Sequence, residues 1–396
     1  MKKNLRRKIP QVAVVLETSH GISRQEMHGI LRYVRVNGPW NITYNVGGTS
    51  DLRIPDMSDW DGDGIIGRVT SDVIADAVIA SGLPAVFFNP GEKYMHPAHP
   101  ISKYSHTQSD SEAIGRMAAE FYLGKDYPSF AFVGNIDNIR WSRERQKGFV
   151  ERLAVADKQC RSYPVPPRAL SRWEKERKLL SRWLTALPKP ISVFAANDYR
   201  ARQVLDACLM SGISVPYEIA VLGVNNDEMI CETTIPELSS IALDAERAGY
   251  EAARMLDEKM SGLHKEQQVF TYGLLNVVAR ESTETLHVKN RLIIQSLEFI
   301  RMNRGLVIRV NDVAERFGVT ARWLEMRFCE YLGRSVHEVI ADVRMRTVCT
   351  MLEETDMPVN AISQKCGFAY ATHLCSLFKR KYNMTMVEYR QKKQKE

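Results

Sequence analysis

Apolar residues recur at spacings of three and four in two stretches near the C-terminus, and both stretches follow one plan. In 310–328 (VNDVAERFGVTARWLEMRF), Val310, Val313, Ala314 and Phe317 share a helical face. Gly318 ends that helix, and Leu324 and Phe328 bury the next one. In 358–382 (PVNAISQKCGFAYATHLCSLFKRKY), Val359, Ile362 and Cys366 lead to Gly367, then to Leu374, Leu377 and Phe378. Ala314 and Ser363 are small where two helices must cross closely, and each Gly can take positive φ to turn the chain. Between the copies, 336–354 predicts one long helix with Val336, Val339, Ile340, Val343, Thr347, Val348 and Met351 inward.

Upstream the pattern changes. From residue 9 to about 283, short apolar runs alternate with amphipathic stretches. The runs 11–16, 41–46, 64–69, 84–89, 129–134, 191–197 and 219–225 predict strands. Helices are predicted over 23–36, 71–81, 110–123, 140–154, 171–186, 198–211 and 244–261. Such alternation predicts parallel sheets covered by helices, with ligands bound beyond the C-terminal strand ends. One sheet of this length would be unusual, so two α/β lobes around a cleft are expected. The organisation is then a two-lobed α/β domain over 9–283, a short linker at 284–289, and an all-α double helix-turn-helix domain over 290–391.

Composition sharpens this division. The 396 residues suffice for two or three domains with their own cores. No apolar run approaches a membrane span. The basic start (Lys2, Lys3, Arg6, Arg7, Lys8) is followed by too short an apolar stretch for a signal peptide and reads as a solvated tail. Seven scattered Cys, never spaced CxxC, fit free thiols in a reducing cytoplasm. The net charge of +7 is unevenly placed. Residues 287–396 hold 19 Lys+Arg against 12 Asp+Glu, and the rest of the chain carries 35 of each. The whole surplus lies on the helix-turn-helix segment, as a polyanionic partner requires. The helix over 336–354 would span roughly 28 Å, close to the ~34 Å between successive major-groove faces of B-DNA. The reading is two recognition helices held about one DNA turn apart by a rigid strut.

Candidate chemistry lies at strand ends and on the recognition helices. Ser19, Ser23 and Arg24 follow the first strand, Asn89 the fourth, and Trp141 and Arg145 open the helix over 140–154. Asn197, Asp198 and Asn225 end two later strands. Such a mix of donors and acceptors beside aromatic rings suits a polyhydroxylated ligand such as a sugar. Asp198 and Asp227 could instead cap helices. On the first recognition helix Ala321, Arg322, Glu325 and Met326 are expected to face a groove, with Arg327 beside them. On the second the matching set is Ala371, Thr372, Cys375 and Ser376, followed by Lys379 and Arg380, suited to phosphates. Arg322 can read a guanine with two hydrogen bonds, so the first unit is expected to supply most base specificity and the second mainly affinity. Asp59, Asp61 and Asp63 imitate half a calcium loop, but Thr70 stands where a Glu is needed, so a turn into a strand is expected. His96, His99 and His106 lack partners at metal spacing and read as solvated loop histidines. No phosphate loop or hydrolase motif occurs, and no metal or cofactor is expected.

With its late FKRKY…EYR stretch (378–390), the segment 290–391 resembles the DNA-binding domain of the AraC/XylS family. That family often has Arg two residues before the closing Phe of each recognition helix. Here Met326 and Ser376 stand there, and Thr385-Met386 replaces the usual Thr-Pro; these departures bear on which DNA sequence is read. Residues 9–283 resemble the sensing core of LacI-type regulators, itself similar to periplasmic sugar-binding proteins. The motifs are SDSEAIGRMAAEFYLGKDYPSFAFVG (109–134), RERQKGF (143–149), FAANDYRARQVL (194–205) and IAVLGVNNDEM (219–229). This second resemblance implies that Arg145, Asn197 and Asn225 face ligand, with Asn225 where the family commonly has Asp. Strand one begins almost at once, so the N-terminal DNA-binding unit of LacI-type regulators is expected to be absent. Together the resemblances imply a cytoplasmic transcription regulator, an activator of a sugar operon answering to xylose or another monosaccharide. They also imply a homodimer on double-stranded operator DNA, with RNA polymerase as a further partner and no enzymatic activity. The rival is a sugar-binding protein or sugar-metabolising enzyme using the helical tail as an interaction module.

Overall fold

The computed structural model describes residues 9–44, 46–48, 60–164, 173–284, 290–368 and 370–393. The chain divides into two compact units, one up to Thr285 and one from Leu286. Five of the six residues read as the linker (285–289), and Asp59 of the calcium-like turn, lie outside the described residues.

The first unit holds two six-stranded sheets. One is built from β1 (Gln11–Val15), β2 (Asn41–Tyr44), β3 (Gly64–Gly67), β4 (Ala85–Phe88), β5 (Ser105–Ser109) and β11 (Val269–Tyr272). Their order is β11-β5-β4-β3-β1-β2, and every pair is parallel. The other holds β6 (Phe130–Val133), β7 (Cys160–Ser162), β8 (Ile191–Ala195), β9 (Ile219–Val224), β10 (Ser239–Leu243) and β12 (Leu274–Val278). Its order is β12-β10-β9-β8-β6-β7, with β12 antiparallel to β10. Residues of β3, β4, β6, β8 and β9 are buried throughout, as strands covered on both faces must be.

The chain crosses between lobes three times. After β5, helix α4 (Ser111–Leu123) packs on α5 (Arg140–Ala154) beside the second sheet. After β10, helix α9 (Ala245–Met260) returns to cover the first sheet and pack on α1 (Gly21–Asn37). The third crossing divides the apolar run VFTYGLLNVV at Gly273, placing β11 in one sheet and β12 in the other. Backbone bonds tie the crossings together, from Asp110 N to Tyr272 O at 2.9 Å and from Asp244 N to Gly273 O at 3.1 Å. The two helix pairs meet at glycines. A Cβ on Gly29 would stand 1.9 Å from the Glu246 carbonyl oxygen, and one on Gly249 as close to that of Glu26. Gly115 and Gly148 do the same for α4 and α5, each at 2.1 Å from a carbonyl oxygen.

The predicted helices of this unit are all present, but several strands escaped the pattern. β5 reads SHTQS, yet Ser105, His106 and Thr107 are buried. A polar strand can be interior when its neighbours bond to it, and Gln268 N donates to Ser105 Oγ at 2.8 Å. His106 is therefore not a solvated loop histidine; burial holds its imidazole below the usual range. His96 and His99 accept from the backbone N–H of Ala98 and Ile101 through their Nδ1 atoms. Asp63 enters β3 and its carboxylate accepts from Gln11 N at 2.8 Å, which keeps the acidic stretch part of the sheet entry. Among the described residues no cluster of His, Cys, Asp or Glu is placed to hold a metal ion, and no helix is long and apolar enough to cross a membrane.

The second unit is all helix: α10 (Arg291–Met302), α11 (Val310–Arg316), α12 (Ala321–Leu332), α13 (Val336–Glu354), α14 (Val359–Lys365), α15 (Ala371–Tyr382) and α16 (Met386–Lys393). Leu324, Phe328, Leu374 and Phe378 are fully buried, as are Val313 and Ile362 on the shorter helices. Gly318 and Gly367 take φ of 66° and 74°, the left-handed conformation that turns each chain into its second helix. The repeat runs further than the motif. Gly333 and Asn383 both end recognition helices with positive φ, at 64° and 55°. Reciprocal caps follow, Ser335 with Glu338 and Thr385 with Glu388, opening α13 and α16. The turn of the second unit is one residue longer, so Thr320 caps α12 through Trp323 N, whereas Tyr370 offers α15 no side-chain cap.

Candidate functional site

Strand ends of both lobes converge on the cleft of the first unit. From the first lobe, Arg68 follows β3 and donates from Nη2 to both oxygens of Glu26 at 2.7 Å, with its Nε 3.2 Å from Glu17. Its guanidinium lies 6.0 Å from the centre of the Phe88 ring. Burial lifts the Glu26 carboxyl to about 7, against the pull of Arg68. Asn89, held at φ 42°, accepts from Ser109 N at 2.9 Å and donates to Tyr272 Oη at 2.7 Å.

From the second lobe, Arg145 enters in the second turn of α5 and is only 4% exposed. Nη1 donates to the Ala196 carbonyl, the guanidinium lies 4.6 Å over the Trp141 ring, and Nε has no partner among the described residues. Burial draws its charge down to a pKa of about 10, while Tyr272 and Asp198 lie near enough to favour the cation. Asn225, at φ 110°, buries Oδ1 with no partner among the described residues. An unmet donor and an unmet acceptor are thus both buried at the second lobe's strand ends. Buried polar atoms in native proteins are rarely left so, and a ligand is one way to satisfy them.

Other residues named from the sequence bond within the protein. Asn197 Oδ1 caps α7 (Asp198–Met210) by accepting from Arg200 N at 2.8 Å. Asp198 accepts from Ser240 Oγ at 2.5 Å and from Asp227 N at 2.8 Å, and burial lifts its carboxyl to about 7. Ser23 is buried with Oγ 3.4 Å from Glu17, and Ser19 is exposed with its carbonyl bonded to Arg24. Arg24 pairs with Asp227 of the other lobe at 3.3 Å. The same carboxylate accepts from Gly21 N at 2.8 Å, so a second-lobe residue caps the first-lobe helix α1. Arg140 to Gln108 and Arg143 to Glu92 also join the lobes. Glu17 follows a predicted strand and Arg68 lies at the end of another, so both were findable by that rule. Glu26 lies inside a helix and Tyr272 comes from a late crossing, so nothing local marked them.

On α12, Arg322 and Met326 are exposed opposite Leu324 and Phe328. Glu325, expected in the groove, instead accepts from Val336 N at 2.8 Å and His337 N at 3.4 Å, capping α13. Arg327 bonds Glu330 and lies 5.5 Å from the Trp323 ring, on the flank of the helix. Ala321 and Ala371 are half-buried. On α15, Thr372, Cys375, Ser376, Lys379 and Arg380 are exposed, and Ser376 Oγ is spent on the Thr372 carbonyl at 3.0 Å. His373, exposed near the start of the same helix, is not among the residues expected in the groove.

Comparison with known proteins places these two units. Residues 109–283 match the periplasmic binding protein-like domain, and 313–392 match a helix-turn-helix domain. The xylose operon regulatory protein of Escherichia coli K12 is 28% identical over 385 residues, covering 96% of each chain. Its counterpart from Haemophilus influenzae is 26% identical, covering 96% of this chain and 98% of its own. A solved structure described as the xylose-binding transcription activator xylR superposes with a TM-score of 0.82 at 26% identity, covering 97% of this chain and 98% of that one. These relatives are regulators rather than enzymes. Two domain matches in this order, and likeness over almost the whole length, make the chain a DNA-binding transcription regulator with a periplasmic-binding-protein-like sensor domain and an AraC-type helix-turn-helix domain.

Proposed function

We propose that the regulator is cytoplasmic, binds a monosaccharide between its lobes, with D-xylose the first candidate, and activates a sugar operon as a homodimer that contacts RNA polymerase. The observation that carries the sugar reading is the buried, unmet pair at the second lobe's strand ends, Arg145 Nε and Asn225 Oδ1. A sugar hydroxyl both donates and accepts, and its CH-rich face packs on an aromatic ring such as Trp141. Arg145, Asn225, Asn89 and Trp141 touch the sugar directly. Ser23, Arg24, Asn197 and Asp198, whose side chains bond within the protein, shape the cleft, and Ser19 lies at its exposed rim. The names of the xylose operon relatives support xylose over other sugars. The sensor spans 9–283 and the reader 290–391, joined by 284–289. In the reader, Arg322 and Met326 take the groove face of α12, with Thr372, Cys375 and Ser376 on α15. Lys379 and Arg380 lie on phosphates.

Isothermal calorimetry of the full chain against D-xylose, L-arabinose, D-ribose, D-glucose and D-galactose tests this reading. Saturable binding of xylose, tighter than that of the other sugars, is expected. Heat of dilution alone for every sugar would reject the sensor assignment.

A further inference from the structure

Resting on the DNA-reading role of the unit from Leu286 onward, we propose that His373 is the base-reading side chain of its second helix-turn-helix and that it reads a purine. The start of a recognition helix meets base edges in the major groove, while later residues approach the backbone. The first six residues of α15 expose four side chains, Thr372, His373, Cys375 and Ser376, with Leu374 turned to the core. Thr372 and Cys375 are short, and the Ser376 hydroxyl already donates to the Thr372 carbonyl. His373 alone among them combines length with a ring N–H. Among the described residues no hydrogen bond or ion pair occupies that ring.

Its orientation is braced. The Phe368 ring, partly buried against the core of this helix-turn-helix, meets the imidazole edge to face with centroids 6.4 Å apart. A braced ring loses less side-chain entropy on binding than a free one. His373 also shares a stripe with Ser376 and Arg380, at spacings of three and seven. Arg380 has no ion-pair partner among the described residues and lies one turn beyond Ser376, so it can hold a phosphate while His373 enters the groove. An imidazole N–H donates to N7, the major-groove acceptor that both purines present. In the first helix-turn-helix the matching position is Trp323, half-buried and packed by Arg327, and the exposed reader is Arg322 one residue earlier. The two units therefore read from neighbouring positions of equivalent helices. This revises the expectation that the second helix-turn-helix supplies mainly affinity.

The test uses the full chain and a library of randomised DNA duplexes, selected with and without D-xylose and sequenced. Wild type is expected to recover a motif of two blocks. His373→Ala should keep the block that Arg322→Ala erases and lose one purine position in the other. Its affinity for the wild-type consensus should fall about 5- to 150-fold, with much smaller losses on duplexes already altered at that position. His373→Asn, which keeps a shorter donor, should recover part of that preference. An unchanged motif for His373→Ala overturns the proposal. So does an equal loss on every duplex with a shallower salt dependence, the signature of a phosphate contact. Loss of the same position in Thr372→Ala but not in His373→Ala also overturns it. A wild-type chain that enriches no motif would fail the DNA-reading role itself and this inference with it.

Discussion

Arg145 shows how much one side chain can be asked to do. Its guanidinium is buried, bonded to one carbonyl, stacked on Trp141 and left with an unmet Nε. A hydrogen bond from a charged donor to a sugar hydroxyl contributes about 1.5–3 kcal/mol. Arg145→Ala should therefore weaken xylose binding about 10- to 150-fold, read by the calorimetry described above. Unchanged affinity would remove Arg145 from the ligand's contacts. Asp198 stands a short distance away with a different role: its two oxygens hold Ser240 and the backbone of Asp227. Position in the sequence does not distinguish these two residues, whereas their hydrogen-bond partners differ.

Among the elements, the α1–α9 pair depends on what its glycines lack. Any Cβ on Gly29 would overlap the Glu246 carbonyl oxygen, which is backbone and cannot swing away. Gly29→Ala should separate the helices at a cost of about 1–3 kcal/mol or more, lowering the thermal midpoint of the sensor by several degrees. Gly124→Ala is the control, because a Cβ there meets nothing closer than 3.4 Å. Equal midpoints for the two variants in differential scanning calorimetry would refute this account of the crossing. The helix-turn-helix units were the most legible elements because their signals are local. Apolar spacing and a turn glycine lie within 310–328 in one copy and within 358–382 in the other, and the long helix 336–354 was read to its observed bounds.

At the scale of the whole sensor, the cleft is held by contacts between lobes. Asp227 caps α1 from the opposite lobe and pairs with Arg24, and its own N–H is held by Asp198, whose charge is felt by Arg145. A link thus runs from the cleft's buried cation to the bond that joins the lobes. Asp227→Ala removes a charged cap worth about 1–3 kcal/mol. It should shift the sensor toward an open form, increase the radius of gyration in small-angle scattering without ligand, and weaken sugar binding though Asp227 is assigned no sugar contact. Unaltered scattering together with unaltered affinity would mean that this bond does not hold the lobes.

By itself the sequence determined whatever depends on neighbours along the chain. Helix positions, the alternation of strand and helix, the charge surplus of the C-terminal segment and the doubled motif all follow from side chains within a few turns of one another. Tertiary structure alone decided what depends on distant partners. SHTQS is a buried strand because residues more than 160 positions away bond to it. One apolar run becomes two strands because Gly273 stands where the chain changes sheet. Asp227 becomes a cap because α1, 206 positions earlier, brings its free N–H groups across the cleft. A capping box announces itself within four residues, whereas a cap delivered from another lobe leaves no local trace, since its geometry exists only once both sheets have formed.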